Sequence, residues 1–164
     1  MYQRLCQWPK NTSFLFGPRG TGKSSWIKAC GKAQLVIDLL PSSQFLSFNQ
    51  NPELFRAKIL AEASPTDWIV VDEIQRVPKL LDEIHILFEQ HGYRNFLLTG
   101  SSARKLRKSV ANLLGGRARN LNFYPLTSFE VDFNQSPEDC YKYGMLPMSV
   151  TESDKFEKEL YLKG

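Results

Sequence analysis

The sequence predicts an α/β fold, a parallel five-stranded sheet with helices on both faces, and three observations carry that expectation. Short apolar runs alternate with stretches of helical periodicity between residues 13 and 123. One of those runs, Trp68-Ile69-Val70-Val71, is continuously apolar, as strands covered on both faces of a parallel sheet are. A glycine-rich turn, Gly17-Pro18-Arg19-Gly20-Thr21-Gly22-Lys23-Ser24, joins the first strand-like run to the first helical one and fits G-x-x-x-x-G-K-[ST]. Strands that alternate with helices imply right-handed crossovers, hence parallel pairing.

The elements follow in order. Residues 1–12 are mixed and polar, with Tyr2, Leu5 and Trp8 spaced for a short helix against the domain. The first strand is Ser13–Phe16, and its helix runs from about Gly22 to Cys30, with Gly31 as its C-terminal cap. A second strand covers Gln34–Leu40 and stops at Pro41. Asn51-Pro52-Glu53 opens the next helix, Asn as cap and Pro at the first helical position, and Ser64-Pro65 ends it. The third strand, Trp68–Val71, delivers Asp72 and Glu73 at its carboxyl end. Val77, Leu80, Leu81, Ile84, Leu87 and Phe88 lie at helical spacing, and Gly92 closes that helix. Asn95–Leu98 is the fourth strand, ending in Thr99-Gly100-Ser101-Ser102. A helix with Ala103, Leu106, Val110, Leu113 and Leu114 on one face follows, then Gly115-Gly116 and a fifth strand at Arg119–Phe123. After Pro125 the alternation stops, so the chain divides into a core over 1–125 and the start of a truncated C-terminal region over 126–164, helix-like from about Asp154 to Leu162.

Size and composition narrow the classes. The 164 residues suffice for one domain with a hydrophobic core, and 42% hydrophobic with 23% charged residues is ordinary for a soluble globular chain. A net charge of +4 suits a polyanionic ligand without demanding nucleic acid. Cys6, Cys30 and Cys140 are odd in number and widely spaced, which reads as reduced thiols and excludes a disulfide framework or a C-x-x-C zinc site. No apolar run approaches the roughly 20 residues of a membrane span, so no membrane partner is expected and the cytoplasm is the default compartment.

The glycine-rich turn points to phosphate. Backbone N–H groups of such a turn curl around phosphate oxygens at the positive end of a helix dipole. Gly17 to Ser24, with Ser25 after them, form the nucleotide-binding set; Lys23 reaches the β- and γ-phosphates and the Ser24 hydroxyl ligates Mg²⁺. Asp72, at a strand end beside that loop, is the second Mg²⁺ residue, and Glu73 directly after it is a general base for an attacking water. A complete strand-and-helix unit separates the loop strand from the Asp-Glu strand, which leaves room for the fourth strand to insert between them. Its polar end then flanks the γ-phosphate: Ser101 is the candidate sensor, Thr99 the alternate, and a helix cap made by Ser102 the competing reading. Arg117 is placed for a rigid cation acting on the nucleotide of a neighbouring subunit, or else is a surface arginine at a helix end. Arg104, Lys105, Arg107 and Lys108 read as a solvated helix face before a nucleic-acid contact. His85 and His91 have no carboxylate or cysteine pattern around them.

These motifs resemble a known family. Val-Asp-Glu-Ile-Gln-Arg-Val-Pro (71–78), Leu-Leu-Thr-Gly-Ser-Ser-Ala (97–103), Leu-Leu-Gly-Gly-Arg (113–117), Tyr-Pro-Leu-Thr-Ser-Phe-Glu (124–130) and Tyr-Gly-Met-Leu-Pro (143–147) follow the glycine-rich turn in order. The set is similar to prokaryotic AAA-type P-loop ATPases with a D-E-I-Q-x-V-P signature and an L-T-G-S-S strand end. The resemblance implies a three-layer P-loop core with sheet order 5-1-4-3-2. It implies Lys23 and Ser24 for phosphate and metal, Asp72 for Mg²⁺, Glu73 as general base, Ser101 as sensor and Arg117 as an arginine finger between copies in a homo-oligomer. It further implies ATP as the nucleotide, as no guanine-reading motif such as N-K-x-D is present, while base preference itself is not readable from the residues. Family members usually continue into a C-terminal region of comparable size that is missing here, and Gly116 stands where they often have alanine.

Three functions are therefore expected, in this order. The first is an ATPase that turns hydrolysis to ADP into a conformational switch, since Glu73 beside Asp72 is unnecessary in a pure binder. The second is a non-hydrolysing nucleotide-binding or interaction module with a protein or DNA partner. The third is a small-molecule kinase, for which residues 104–108 are the only candidate lid.

Overall fold

In the computed structural model, which describes residues 2–101 and 117–163, the predicted sheet is present. Its strands are β1 (Ser13–Phe16), β2 (Leu35–Asp38), β3 (Ile69–Asp72), β4 (Phe96–Gly100) and β5 (Arg119–Asn122). All pairings are parallel and the order is β2-β3-β4-β1-β5, the order 5-1-4-3-2 read from the other edge. β4 does insert between β1 and β3. The helix expected over residues 103–114, its basic residues Arg104, Lys105, Arg107 and Lys108, the Ser102 cap and Gly115-Gly116 lie outside the described residues.

The alternation of side chains along each strand builds two cores. Phe14, Phe16, Ile69, Val71, Phe96 and Leu98 face one side and meet Phe55 and Ile59 of α3 (Glu53–Glu62) and Leu81, Ile84 and Phe88 of α4 (Leu80–His91). Leu15, Val70, Leu97 and Phe123 face the other and meet Trp26 and Ile27 of α1 (Lys23–Cys30). Helix, sheet and helix are therefore three layers. The parallel register aligns the carboxyl ends of the strands, with Phe16 level with Gly100 and Asn122, and Asp38 level with Asp72. Everything that leaves those ends shares one edge of the molecule, where ligands of open parallel sheets bind.

Four local expectations need correction. The N-terminal segment forms no helix; Trp8 packs instead on Trp26 and Trp68, with ring centroids 5.6 and 5.4 Å away. A helix, α2 (Ser42–Gln50), stands where none was expected, because its few apolar residues make a weak stripe from which Phe48 alone is buried. Asn51 does not cap α3 through its side chain; its carbonyl accepts the Leu54 N–H. The helix expected from Val77 starts three residues later: Glu73 takes a left-handed turn into a 3-10 segment over Ile74–Arg76, and α4 begins at Leu80, just after Pro78-Lys79.

Beyond β5 lie a 3-10 turn (Phe129–Val131), α5 (Pro137–Tyr143), α6 (Pro147–Thr151) and α7 (Lys155–Lys163). Leu126, Val131 and Val150 form a small third core that Tyr2 and Met145 complete. Arg4 fastens this region to the rest. Its guanidinium donates to Glu130 (3.0 Å), to the Thr21 carbonyl in the glycine-rich loop (2.7 Å) and to the Tyr124 carbonyl (2.6 Å), and lies 4.1 Å from the Phe123 ring centroid. Burial alone would push the Glu130 carboxyl up, but the N–H groups of Leu5 and Thr127 and the Arg4 guanidinium outweigh it and hold the group below its ordinary value of 4.5. A carboxyl held low in the folded state stabilises fully above its unfolded value, and that stability is lost as pH falls through the folded value. The two side chains are only 8% and 4% exposed, so Glu130→Gln is expected to cost about 3 kcal/mol at neutral pH. Melting curves of the variant should also lose part of the acid sensitivity that the Glu130 carboxyl is expected to give the parent as pH falls below 4.5.

Candidate functional site

The glycine-rich loop leaves β1 at Gly17 and enters α1 at Lys23. Gly17 is wedged against β5, and a Cβ there would lie 2.2 Å from the Phe123 carbonyl oxygen. Its own N–H reaches back to the Gly100 carbonyl (3.2 Å), so β4 and β5 together hold the start of the loop. Gly20 and Gly22 take φ of 78° and 88°, the left-handed region that glycine enters without steric cost. Thr21 is fully buried and its hydroxyl donates to the Pro18 carbonyl (2.9 Å), closing the loop on itself.

This path leaves the amino end of α1 open. Gly22 at the cap offers no side chain, and the first turn carries no acidic residue. The first N–H groups of a helix have no partner within it, so they and the helix dipole favour an anion here. Lys23 is a buried residue, 7% exposed, and its ammonium is turned onto the loop and donates to the carbonyls of Gly17 (2.6 Å) and Pro18 (2.9 Å). Burial pushes it below its ordinary value, Glu73 and Asp72 offset part of that, and Arg19 adds to the lowering. The ammonium and the open N–H groups thus form a positive cradle whose donors fit phosphate oxygens.

The acidic pair stands opposite. The Ser24 hydroxyl donates to Asp72 Oδ2 at 2.8 Å, so the two expected Mg²⁺ residues share one spot. An oxygen set of hydroxyl and carboxylate, completed by phosphate and water, is what Mg²⁺ prefers. Thr99, fully buried, donates its hydroxyl to Asp72 and accepts the Glu73 N–H (3.2 Å). It therefore braces the acidic pair. The Glu73 carboxylate accepts a hydrogen bond from Gln75 Nε2, which also lies 3.3 Å from Ser101 Oγ. Ser101 is thus brought to the acidic pair.

The family model described as AAA domain matches residues 9–131, about three quarters of the chain. The chain belongs to the AAA domain family. It is an AAA-type P-loop ATPase fold, with the sheet order described above. No curated protein matches the chain.

In this AAA domain, Gly17 to Ser25 and Lys23, Ser24, Asp72, Glu73 and Ser101 converge on the carboxyl edge of the sheet. Arg117 does not. It precedes β5, whose Arg119 is level with Ser13 at the amino edge, and it pairs with Glu89 of α4. Arg117, 47% exposed in its side chain, lines a cavity of about 430 Å³ there with Arg94 and Arg119. It cannot serve the loop of its own chain. His85 and His91 lie on α4, away from the loop, and the three cysteines are free thiols. Among the described residues, no group of His, Cys, Asp and Glu is arranged to hold a metal by itself, and no helix is long and apolar enough to cross a membrane.

Three contributors escaped the sequence reading. Arg4 secures the Thr21 carbonyl of the loop from a segment with no motif. Tyr161 of α7 lays its hydroxyl on the loop, 2.6 Å from where a Gly20 Cβ would stand. Gln75 carries the only signal that was available, its place two residues beyond Glu73 inside the D-E-I-Q signature. Beside Gly22 and Ser25 the structure also opens a groove of about 790 Å³, lined by Tyr2, Arg4, Trp26, Leu126 and Pro147.

Proposed function

We propose that this AAA domain binds ATP with Mg²⁺, hydrolyses it to ADP and phosphate, and uses turnover to drive a conformational switch. The observation that carries the reading is the positive cradle at the amino end of α1 facing the Ser24–Asp72 pair, with Glu73 next in sequence. Loop N–H groups and the Lys23 ammonium hold the phosphates. Ser24 and Asp72 would hold Mg²⁺, which when bound neutralises charge on the phosphate oxygens. Glu73 accepts the proton of the attacking water as the water oxygen bonds to the γ-phosphorus, and ADP leaves on the opposite side. Ser101 contacts the γ-phosphate, and Thr99 keeps the Asp72-Glu73 backbone in place. The groove beside Gly22 and Ser25 accommodates base and ribose. Arg117 contributes its guanidinium to a neighbouring copy in a homo-oligomer, as its exposed place at the opposite edge of the sheet favours. The switch is supported by two contacts that tie the loop to the C-terminal region: Arg4 joins the Thr21 carbonyl to Glu130, and the Tyr161 hydroxyl of α7 lies beside Gly20.

Equilibrium binding of ATP with Mg²⁺ to the 164-residue chain, beside Lys23→Ala, tests the pocket. The parent should bind in the micromolar range and the variant should lose at least about a hundredfold in affinity, since Lys23 supplies a buried charge-assisted contact. Phosphate release by the parent then separates an ATPase from a module that binds without hydrolysing.

A further inference from the structure

Glu73 is held in an unusual way. Its φ of 61° lies in the left-handed region, rarely adopted by a residue with a side chain. The strain persists because the backbone is fixed on both sides: Thr99 Oγ1 takes the Glu73 N–H, and the Glu73 carbonyl accepts the Arg76 N–H (2.9 Å) of the 3-10 segment. That segment brings Gln75 back over Glu73. The Gln75 amide nitrogen donates to the Glu73 carboxylate and sits 3.3 Å from the Ser101 hydroxyl oxygen, so one side chain bridges the end of β3 to the end of β4.

Two further observations indicate that this bridge is built for purpose. Gln75 Oε1 is buried and has no hydrogen-bond partner among the described residues, an arrangement proteins avoid unless the other half of the amide is needed where it is. The amide orientation is set by charge, because the reverse would aim an oxygen at a carboxylate. Gly100 makes the seat: a Cβ there would come within 2.6 Å of Gln75 Oε1, so any side chain at 100 would displace the amide.

We infer that Gln75 is a positioning residue that couples the proposed general base Glu73 to the proposed phosphate sensor Ser101. It acts through Glu73 and does not touch the reacting atoms. Holding the carboxylate by one oxygen fixes the direction of the other, and a movement of Ser101 towards or away from the γ-phosphate is passed to the base through the amide.

This inference rests on the hydrolytic reading above, and the experiment separates the two. ATP hydrolysis and ATP binding are measured for the full chain and for Glu73→Gln, Gln75→Met, Ser101→Ala and the Gln75→Met/Ser101→Ala double variant, with thermal melting of each. Methionine keeps the length and volume of glutamine and removes both hydrogen bonds. The expected result is a fall in kcat of about ten- to a hundredfold for Gln75→Met, with ATP affinity and melting temperature unchanged. Adding Gln75→Met to Ser101→Ala should then cost far less than it costs alone, because the bridge is already broken. Full hydrolysis by Gln75→Met in a background where Glu73→Gln is inactive overturns the coupling and leaves the ATPase reading standing. Strictly multiplicative effects of the two substitutions overturn it as well. A parent chain that binds ATP but releases no phosphate overturns the hydrolytic reading and the coupling with it.

Discussion

Glu73→Gln is expected to bind ATP as tightly as the parent and to lose at least about a hundredfold in turnover. The amide keeps the size of the side chain and can remain against Gln75, so the fold and the phosphate cradle are undisturbed. What it loses is the ability to accept a proton. The carboxylate also carries negative charge close to Lys23, and that charge raises the lysine's proton affinity. Neutralising it should therefore leave nucleotide affinity equal or slightly higher, since one anionic neighbour of the phosphates is gone. Phosphate release and equilibrium binding on the same preparation decide the matter. Unchanged turnover would remove Glu73 from the chemistry and move the search for a base elsewhere.

Gly17→Ala is expected to be the most damaging substitution of a single hydrogen by a methyl in the described residues of this chain. The new carbon would stand 2.2 Å from the Phe123 oxygen and 3.1 Å from its carbonyl carbon. The obstacle is main chain, and it is fixed by the Phe123 N–H bond to the Phe16 carbonyl. Either β5 must separate from β1 or the loop must leave its place, and the expected cost is at least about 3 kcal/mol. Gly31→Ala provides the contrast. It has a left-handed φ of 60° but open space around it, so only the backbone penalty of about 1 kcal/mol applies. Denaturant unfolding of both variants should rank them clearly. A Gly17→Ala protein as stable as Gly31→Ala would contradict the packing of β5 against the loop.

The strands and the loop were legible in the sequence because local signals agree there. Apolar runs, a glycine turn with a lysine, and a strand ending in Asp-Glu each point to the same edge of a sheet. Strand order was legible too, because one intervening unit forces β3 away from β1. What escaped shares a cause. Arg4 acts across 126 residues on Glu130 and across 17 on Thr21, and no spacing encodes such a contact. Ser101 was preferred over Thr99 on chemistry that both hydroxyls share; what the sequence could not show is that Thr99 is fully buried and donates to Asp72. The α2 helix was missed because its apolar positions, Phe45 and Phe48 foremost, are outnumbered by Ser, Gln and Asn, and tertiary contact with the first core carries it.

The sheet order also governs how this protein comes into being. β1 is the first element to be translated after the N-terminal segment, yet its two ladder partners are residues 97–100 and 119–122. The glycine loop lacks the Gly100 carbonyl until residue 100 has been made, and the β5 wall that completes it until about residue 123. At about 5–20 residues per second, the roughly 100 residues after the loop leave Phe14, Leu15 and Phe16 without their strand neighbours for about 5–20 s. A nascent chain released before that point carries the complete phosphate motif and no phosphate site, and its unpaired apolar strand is a target for chaperones in place of nucleotide.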